Sequence, residues 1–300
     1  MIDGALLLDK PLGLSSNAAL QDAKRLVGAK KAGHGGTLDP LASGLLVVLF
    51  GEATKFAGPM LDADKEYVAR VKLGQRTDTG DAEGAVLETR PVQVSAEQLD
   101  ETLARFRGEI EQIPPMHSAL KRDGVPLYKL ARKGETVERA PRRVRIHEIQ
   151  RLGREGDVIE LRVRCSKGTY IRTLAEDIGR ALGTAAHLAA LRRTASGRFS
   201  VGDAVTLDAL RASPDTRAHL LPLAALLEGL PRTDLDAGDE ARLRNGQPLK
   251  ISDVREGLYA LFGADGAVIG LGYAAPEGVL RPLRLTQAAE KSVKIAGSKI

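Results

Sequence analysis

The chain has 300 residues, enough to bury a sizeable core as one large domain or as one large and one small. Its net charge of +5 suits a polyanionic partner such as nucleic acid. A single cysteine, Cys165, excludes an internal disulfide and a multi-thiolate metal site. No signal peptide and no apolar run of membrane-spanning length is legible, so a soluble cytoplasmic protein is expected.

Residues 5–8, Ala-Leu-Leu-Leu, read as a buried strand running into a turn over Asp9-Lys10-Pro11-Leu12-Gly13. Ser15 or Ser16 is placed to cap a helix through about Val27, with Ala19, Ala23, Leu26 and Val27 on one face and Gly28 as its stop. Next comes Gly33-His34-Gly35-Gly36-Thr37-Leu38-Asp39-Pro40-Leu41-Ala42-Ser43-Gly44, a loop with four glycines around one carboxylate. Pro40 biases Asp39 toward an extended backbone, and the apolar run Leu45 to Phe50 that follows predicts a buried strand anchoring the loop. Lys65 to Leu73 alternates, with Tyr67, Ala69, Val71 and Leu73 on one side, and 74–84 is polar and turn-rich. Ser95-Ala96-Glu97-Gln98 is a capping box opening a helix that reaches Gly108.

Strands return from Arg142, with Val144 and Ile146 and then Ile159, Leu161, Val163 and Cys165 in alternation. A helix carrying Ile171, Leu174, Ala175 and Ile178 is predicted after Gly168, ending near Gly183, and a second short helix over about 184–192. Elements in this order indicate an α+β or mixed-sheet architecture rather than a regular βαβ repeat. Motif density drops over 200–232, and 231–285 reads as a small β domain with a hairpin turn at Asp265-Gly266. The tail 286–300 is basic, with the composition of a disordered segment.

Four further blocks stand beside the glycine loop: Leu8-Asp9-Lys10-Pro11-Leu12-Gly13-Leu14-Ser15-Ser16; Asp64-Lys65-Glu66-Tyr67 leading to Leu73-Gly74-Gln75-Arg76-Thr77-Asp78-Thr79-Gly80-Asp81; Gln112 to Lys121, with Pro114-Pro115-Met116-His117-Ser118; and Cys165 to Leu174, with Gly168-Thr169-Tyr170-Ile171-Arg172. Together these blocks resemble the TruB family of tRNA pseudouridine synthases, in order and spacing, over residues 8 to about 199. The terminal β domain resembles the PUA module those enzymes carry. His117 departs from the pattern, standing where the family more often has tyrosine, and its role stays open.

The resemblance implies an α+β fold: a catalytic domain over 1–230 with a mixed, mainly antiparallel sheet and flanking helices, an RNA-gripping insertion over about 91–140, and a PUA-like domain over 231–285. It implies isomerisation of uridine 55 in the T loop of tRNA to pseudouridine, with no cofactor, no metal, no obligatory protein partner and a monomeric enzyme. Asp39 would be the catalytic carboxylate, Arg172 its ion-pair partner, and Tyr67 the ring under the flipped uracil, with a hydroxyl able to accept or relay the C5 proton. Tyr170, Leu191, Lys10 and Gly36 would contact substrate, and His34 would fill the space left when the uridine leaves the stack. Attack at C1′, attack at C6 of the base and proton removal from C2′ are all open to such a carboxylate. Lys24, Arg25, Lys30, Lys31, Arg139, Arg142, Arg143 and Arg145 are candidate phosphate contacts, although a run of charges is more often a solvated face. A guide-RNA-dependent synthase and an RNA-binding or tRNA-folding protein are the alternatives; the length of the insertion favours the free-standing enzyme.

Overall fold

The computed structural model describes residues 2–118, 120–122, 124–131, 133–252 and 255–287; all but the first two residues of the expected basic tail lie outside them. The main sheet runs, in spatial order, Val205–Thr206, Gly4–Lys10, Ala42–Phe50, Ala186–Ser196, Lys65–Leu73, Val158–Cys165, Arg142–Glu155 and Gly108–Gln112. Its pairings are antiparallel except where Ala186–Ser196 meets Ala42–Phe50 and where Gly4–Lys10 meets Val205–Thr206. The alternation in Lys65–Leu73 and Val158–Cys165 follows from this placement. Ala69, Val71, Leu161 and Val163 pack beneath the Ile171–Ala181 helix, while their neighbours face away.

The Ser16–Val27 helix has the predicted ends: the Ser15 hydroxyl accepts from the Ala18 amide, and Gly28 closes it in the left-handed region. The Ala96–Arg105 helix carries the full capping box. One expectation fails. Residues 184–192 do not form a helix; Ala186–Ser196 is a central strand. Its Ala, Leu and Arg content favours helix locally, but strands on both flanks offer it a ladder, with Leu191 paired to Ala42 on one side and Ala69 on the other. Packing against two neighbours overrides that weak local preference.

The span expected to hold the insertion, about 91–140, opens with elements of the main sheet and its core. The Ala96–Arg105 helix buries Leu99 and Leu103 in the main core, and Gly108–Gln112 is the sheet's edge strand. Between that strand and its partner Arg142–Glu155, the described residues of 113–141 include a short hairpin off the main sheet, Lys121–Arg122 with Val125–Pro126.

A second sheet orders Arg232–Leu235, Gly257–Gly263, Val268–Ala274, Val279–Leu285 and Leu249–Lys250. It docks on the first through a shared apolar cluster in which Ala260, Phe262 and Leu271 meet Leu7, Val47 and Leu49. Lys55 Nζ donates to the Leu285 carbonyl at 2.8 Å across the same junction.

Candidate active site

The glycine loop is held in place from several sides. Ser16, buried in the first turn of its helix, accepts from the Leu38 amide at 2.7 Å and donates to the Leu38 carbonyl at 2.9 Å. The Gly13 amide donates to Pro40 O at 2.9 Å, and the Gly35 amide to Val47 O at 2.9 Å. Arg193, 2% exposed on the central strand, donates to the carbonyls of Leu45 at 2.7 Å, Gly36 at 3.1 Å and Thr37 at 3.4 Å. Two glycines are required by this arrangement. At Gly44 (φ +98°) a Cβ would lie 2.3 Å from the Arg193 carbonyl oxygen, and at Gly36 (φ +142°) 3.4 Å from Arg193 Nη1.

Asp39 is thereby presented from a braced loop, with 41% of its side chain exposed. Arg172 Nη2 meets its Oδ2 at 3.0 Å. The arginine lies in the first turn of the Ile171–Ala181 helix and is itself 6% exposed. Its position is fixed by two further acceptors, Thr79 O at 3.1 Å and His117 O at 2.6 Å, and by an ion pair with Asp81 Oδ2 at 3.6 Å. Asp81 is buried and held by the Thr79 hydroxyl at 2.6 Å and the Glu83 amide at 3.1 Å. Burial pushes the Asp39 carboxyl above the usual carboxylate range, Arg172 opposes this, and the like charge of Asp81 adds to it.

Two cavities meet at Asp39 and Arg172. One, about 360 Å³, has Gly36, Tyr67, Tyr170, Leu191, Lys65 and Arg193 on its walls. The other, about 530 Å³, is walled by His34, Asp81, His117 and Tyr128 among others. The structure therefore gathers Asp39, Tyr67, Arg172, Tyr170, Leu191 and Gly36 around one space and puts His34 beside the adjoining one. Tyr170 precedes the Arg172 helix, its backbone clasped by the buried Gln112 amide at 3.0 and 3.3 Å. Burial raises both the Tyr67 and the Tyr170 phenols above their ordinary range, so each keeps its proton at neutral pH.

Lys10 is placed differently from the expectation. It is fully buried behind the cleft wall, and its ammonium donates to the carbonyls of Pro11 at 2.9 Å and Leu14 at 2.5 Å. Burial lowers its pKa to about 8. It braces the turn that leads to Ser16 and influences Asp39 through its charge. Several of the expected phosphate contacts already have partners: Arg145 with Glu109 at 2.8 Å, Arg143 with Glu111 at 3.8 Å, and Arg25 with Asp22.

Sequence reasoning missed Asp81, Lys65, Ser16 and Arg193 as parts of the site. Asp81 closes the Gln75–Asp81 block and Arg193 follows Leu191 by two residues, so proximity to a motif was the available signal. Lys65, with its ammonium on the carbonyls of Met60, Leu61 and Ala63, fastens the rim of the first cavity.

Comparison with known proteins identifies the family. Residues 24–171 match the TruB family pseudouridylate synthase N-terminal domain, 172–228 the tRNA pseudouridylate synthase B C-terminal domain, and 231–286 the pseudouridine synthase II TruB C-terminal domain. The tRNA pseudouridine synthase B of Ralstonia nicotianae is 58% identical over 298 residues, covering 95% of this chain and 94% of that protein. The protein of the same name from Aromatoleum aromaticum is 55% identical over 287 residues, covering 95% and 93%. A chain in the crystal structure of a Cbf5-Nop10-Gar1 complex superposes with a TM-score of 0.73 at 29% identity, over 92% of this chain and 79% of that one. A chain in an H/ACA RNP bound to a substrate RNA containing 2′-deoxyuridine does so with a TM-score of 0.73 at 26% identity, over 96% and 86%. Through its motifs, its sheet and its relatives alike, the chain belongs to the TruB family of pseudouridylate synthases and is an isomerase.

Proposed function

We propose that this enzyme converts uridine 55 in the T loop of tRNA to pseudouridine, in the cytoplasm, as a free-standing protein without a cofactor. The observation that carries the reading is the Asp39–Arg172 pair at the junction of two cavities, with Tyr67 on the wall of one of them. The names of the relatives supply the tRNA and the family supplies the reaction; the residues suggest how it is carried out.

The reaction is internally balanced. The C1′–N1 bond breaks with its electron pair going to the base, the base turns, C5 bonds to C1′, a proton leaves C5, and N1 gains one. Asp39 is the partly exposed carboxylate of the pair, and Arg172 keeps it ionised and fixes its direction. Tyr67 and Leu191 hold the base from the sheet side and Tyr170 from the helix side, while Gly36 lets the loop pass close by. Tyr67, protonated at neutral pH, relays the C5 proton rather than acting as a standing base. His34 faces the second cavity, where it fills the gap left by the flipped uridine; a loop nucleotide costs less to extrude than a paired one. The second sheet serves as a PUA-like grip on RNA beyond the T loop.

The segment 113–141 favours this reading over a guide-dependent one. Its His117, Ser118 and Tyr128 wall the second cavity, so the chain provides its own cover for a substrate. The test uses tRNA transcript carrying tritium at uridine C5, with release to water followed for the wild type and Asp39→Asn. Release is expected from the wild-type protein acting on the transcript without a guide RNA or a second protein, and to fall below about one thousandth of that rate in the variant. tRNA binding with no release from either protein would leave only a binder.

A further inference from the structure

The cavity that takes the base has on its wall a buried cation that the reaction scheme above leaves unused. Arg193 makes no ion pair with a carboxylate among the described residues; three backbone carbonyls are its acceptors. A guanidinium offers five N–H groups, so these bonds leave donors free. Burying such a charge without a counter-ion is costly, and carbonyl dipoles offset only part of that cost. Arg193 is also the cross-strand register partner of Tyr67, and both side chains wall the same cavity.

We propose that Arg193 is a positioning residue for Tyr67: its guanidinium occupies the phenol oxygen as a donor, so that the phenol proton points at the base. The consequence concerns bond cleavage and rests on the isomerase reading above. When C1′–N1 breaks, the electron pair leaves with uracil and spreads over N1, O2 and O4. A phenol whose oxygen already accepts from a cation is a stronger donor to that anion, and it keeps its own proton during the step. The unpaired charge of Arg193 acts in the same direction, as a fixed cation in a site shielded from water. Burial keeps Tyr67 protonated for this role, while the neighbouring guanidinium pulls its pKa the other way.

A role confined to bracing Gly36 and Thr37 would not involve Tyr67, and that difference can be measured. Single-turnover pseudouridine formation at saturating tRNA is compared for wild type, Arg193→Lys, Tyr67→Phe and the double variant. Lysine keeps the charge but offers a point donor that cannot serve three carbonyls and a phenol together. Arg193→Lys is expected to slow the wild-type background about thirtyfold, with tRNA affinity changed less than about threefold. In the Tyr67→Phe background the same substitution should cost less than about threefold. Equal factors in both backgrounds would overturn the proposal, as would an unslowed Arg193→Lys enzyme. Arg193→Gln provides a second cycle should the lysine variant fail to fold. Inactivity of the wild type would instead overturn the isomerase assignment on which the cycle depends.

Discussion

Two buried arginines hold the loop that carries Asp39, and they are compensated in different ways. Arg172 lies between two carboxylates, Asp39 at 3.0 Å and Asp81 at 3.6 Å, with two carbonyls completing its shell. Arg193 meets carbonyls along the main chain of the same loop and its following strand, with no carboxylate among the described residues. The first arrangement fixes a charge that must stay ionised and correctly aimed. The second fixes the path of the backbone and leaves net positive charge beside the cavity walled by Tyr67 and Leu191. Identical side chains therefore differ in what they do through their acceptors, and each side can be broken separately.

Of the changes that separate the two arginines, the largest effect is expected from Arg172→Ala. It removes the counter-ion of Asp39 and strands Asp81, which is buried and has no other ion-pair partner among the described residues. Turnover should fall about a thousandfold while tRNA affinity changes less than about threefold, as read by single-turnover kinetics beside filter binding. A large loss of affinity with normal turnover would place Arg172 on the RNA-binding surface instead.

The Arg193 side is tested by Gly44→Ala. The new Cβ would be 2.3 Å from Arg193 O and 2.8 Å from its amide nitrogen, at a φ of +98° that alanine rarely adopts. Something in the central strand must shift, and unfolding by urea should show a loss of about 3 kcal/mol. Turnover should drop with it, because the strand that moves carries both Leu191 and Arg193. Unchanged stability would mean that the loop and strand separate readily, against the close approach seen here.

How much of this was legible beforehand differs between the same two arginines. Arg172 stood in a motif block with Tyr170, and the resemblance marked it as the partner of Asp39. Arg193 stood just after a stretch whose Ala, Leu and Arg content pointed to a short helix over about 184–192, which gave no sign that it continues a central strand. The sheet order that makes Ala186–Ser196 a central strand depends on partners over a hundred residues away, Ala42–Phe50 and Lys65–Leu73. Local periodicity does not contain that information. By contrast, the Ser16–Val27 and Ala96–Arg105 helices are bounded by caps a few residues long, and local chemistry sufficed for both. Lys10 was legible as part of a block but not as a buried brace, since a lysine at the end of a strand carries no sign of which way its ammonium turns.

The smallest expected effect is also the most specific to the Arg172 side. The proposed reaction requires Asp39 ionised, and burial raises its pKa above the ordinary value of 3.8. Activity should therefore fall as pH drops through that raised value, giving an acid limb above the usual carboxylate range. Asp81 contributes to the rise because a second negative charge disfavours ionisation of the first. In Asp81→Asn that repulsion is gone, Arg172 remains on Asp39, and the Asp39 pKa falls. The acid limb of single-turnover rate against pH should move to lower pH, and the plateau rate should drop about tenfold because Arg172 has lost one of its two anionic braces. A limb that stays in place would mean that another group limits the rate at low pH. A limb that moves upward would mean that Asp81 mainly aims Arg172 at Asp39, the loss of that aim then outweighing the removed repulsion.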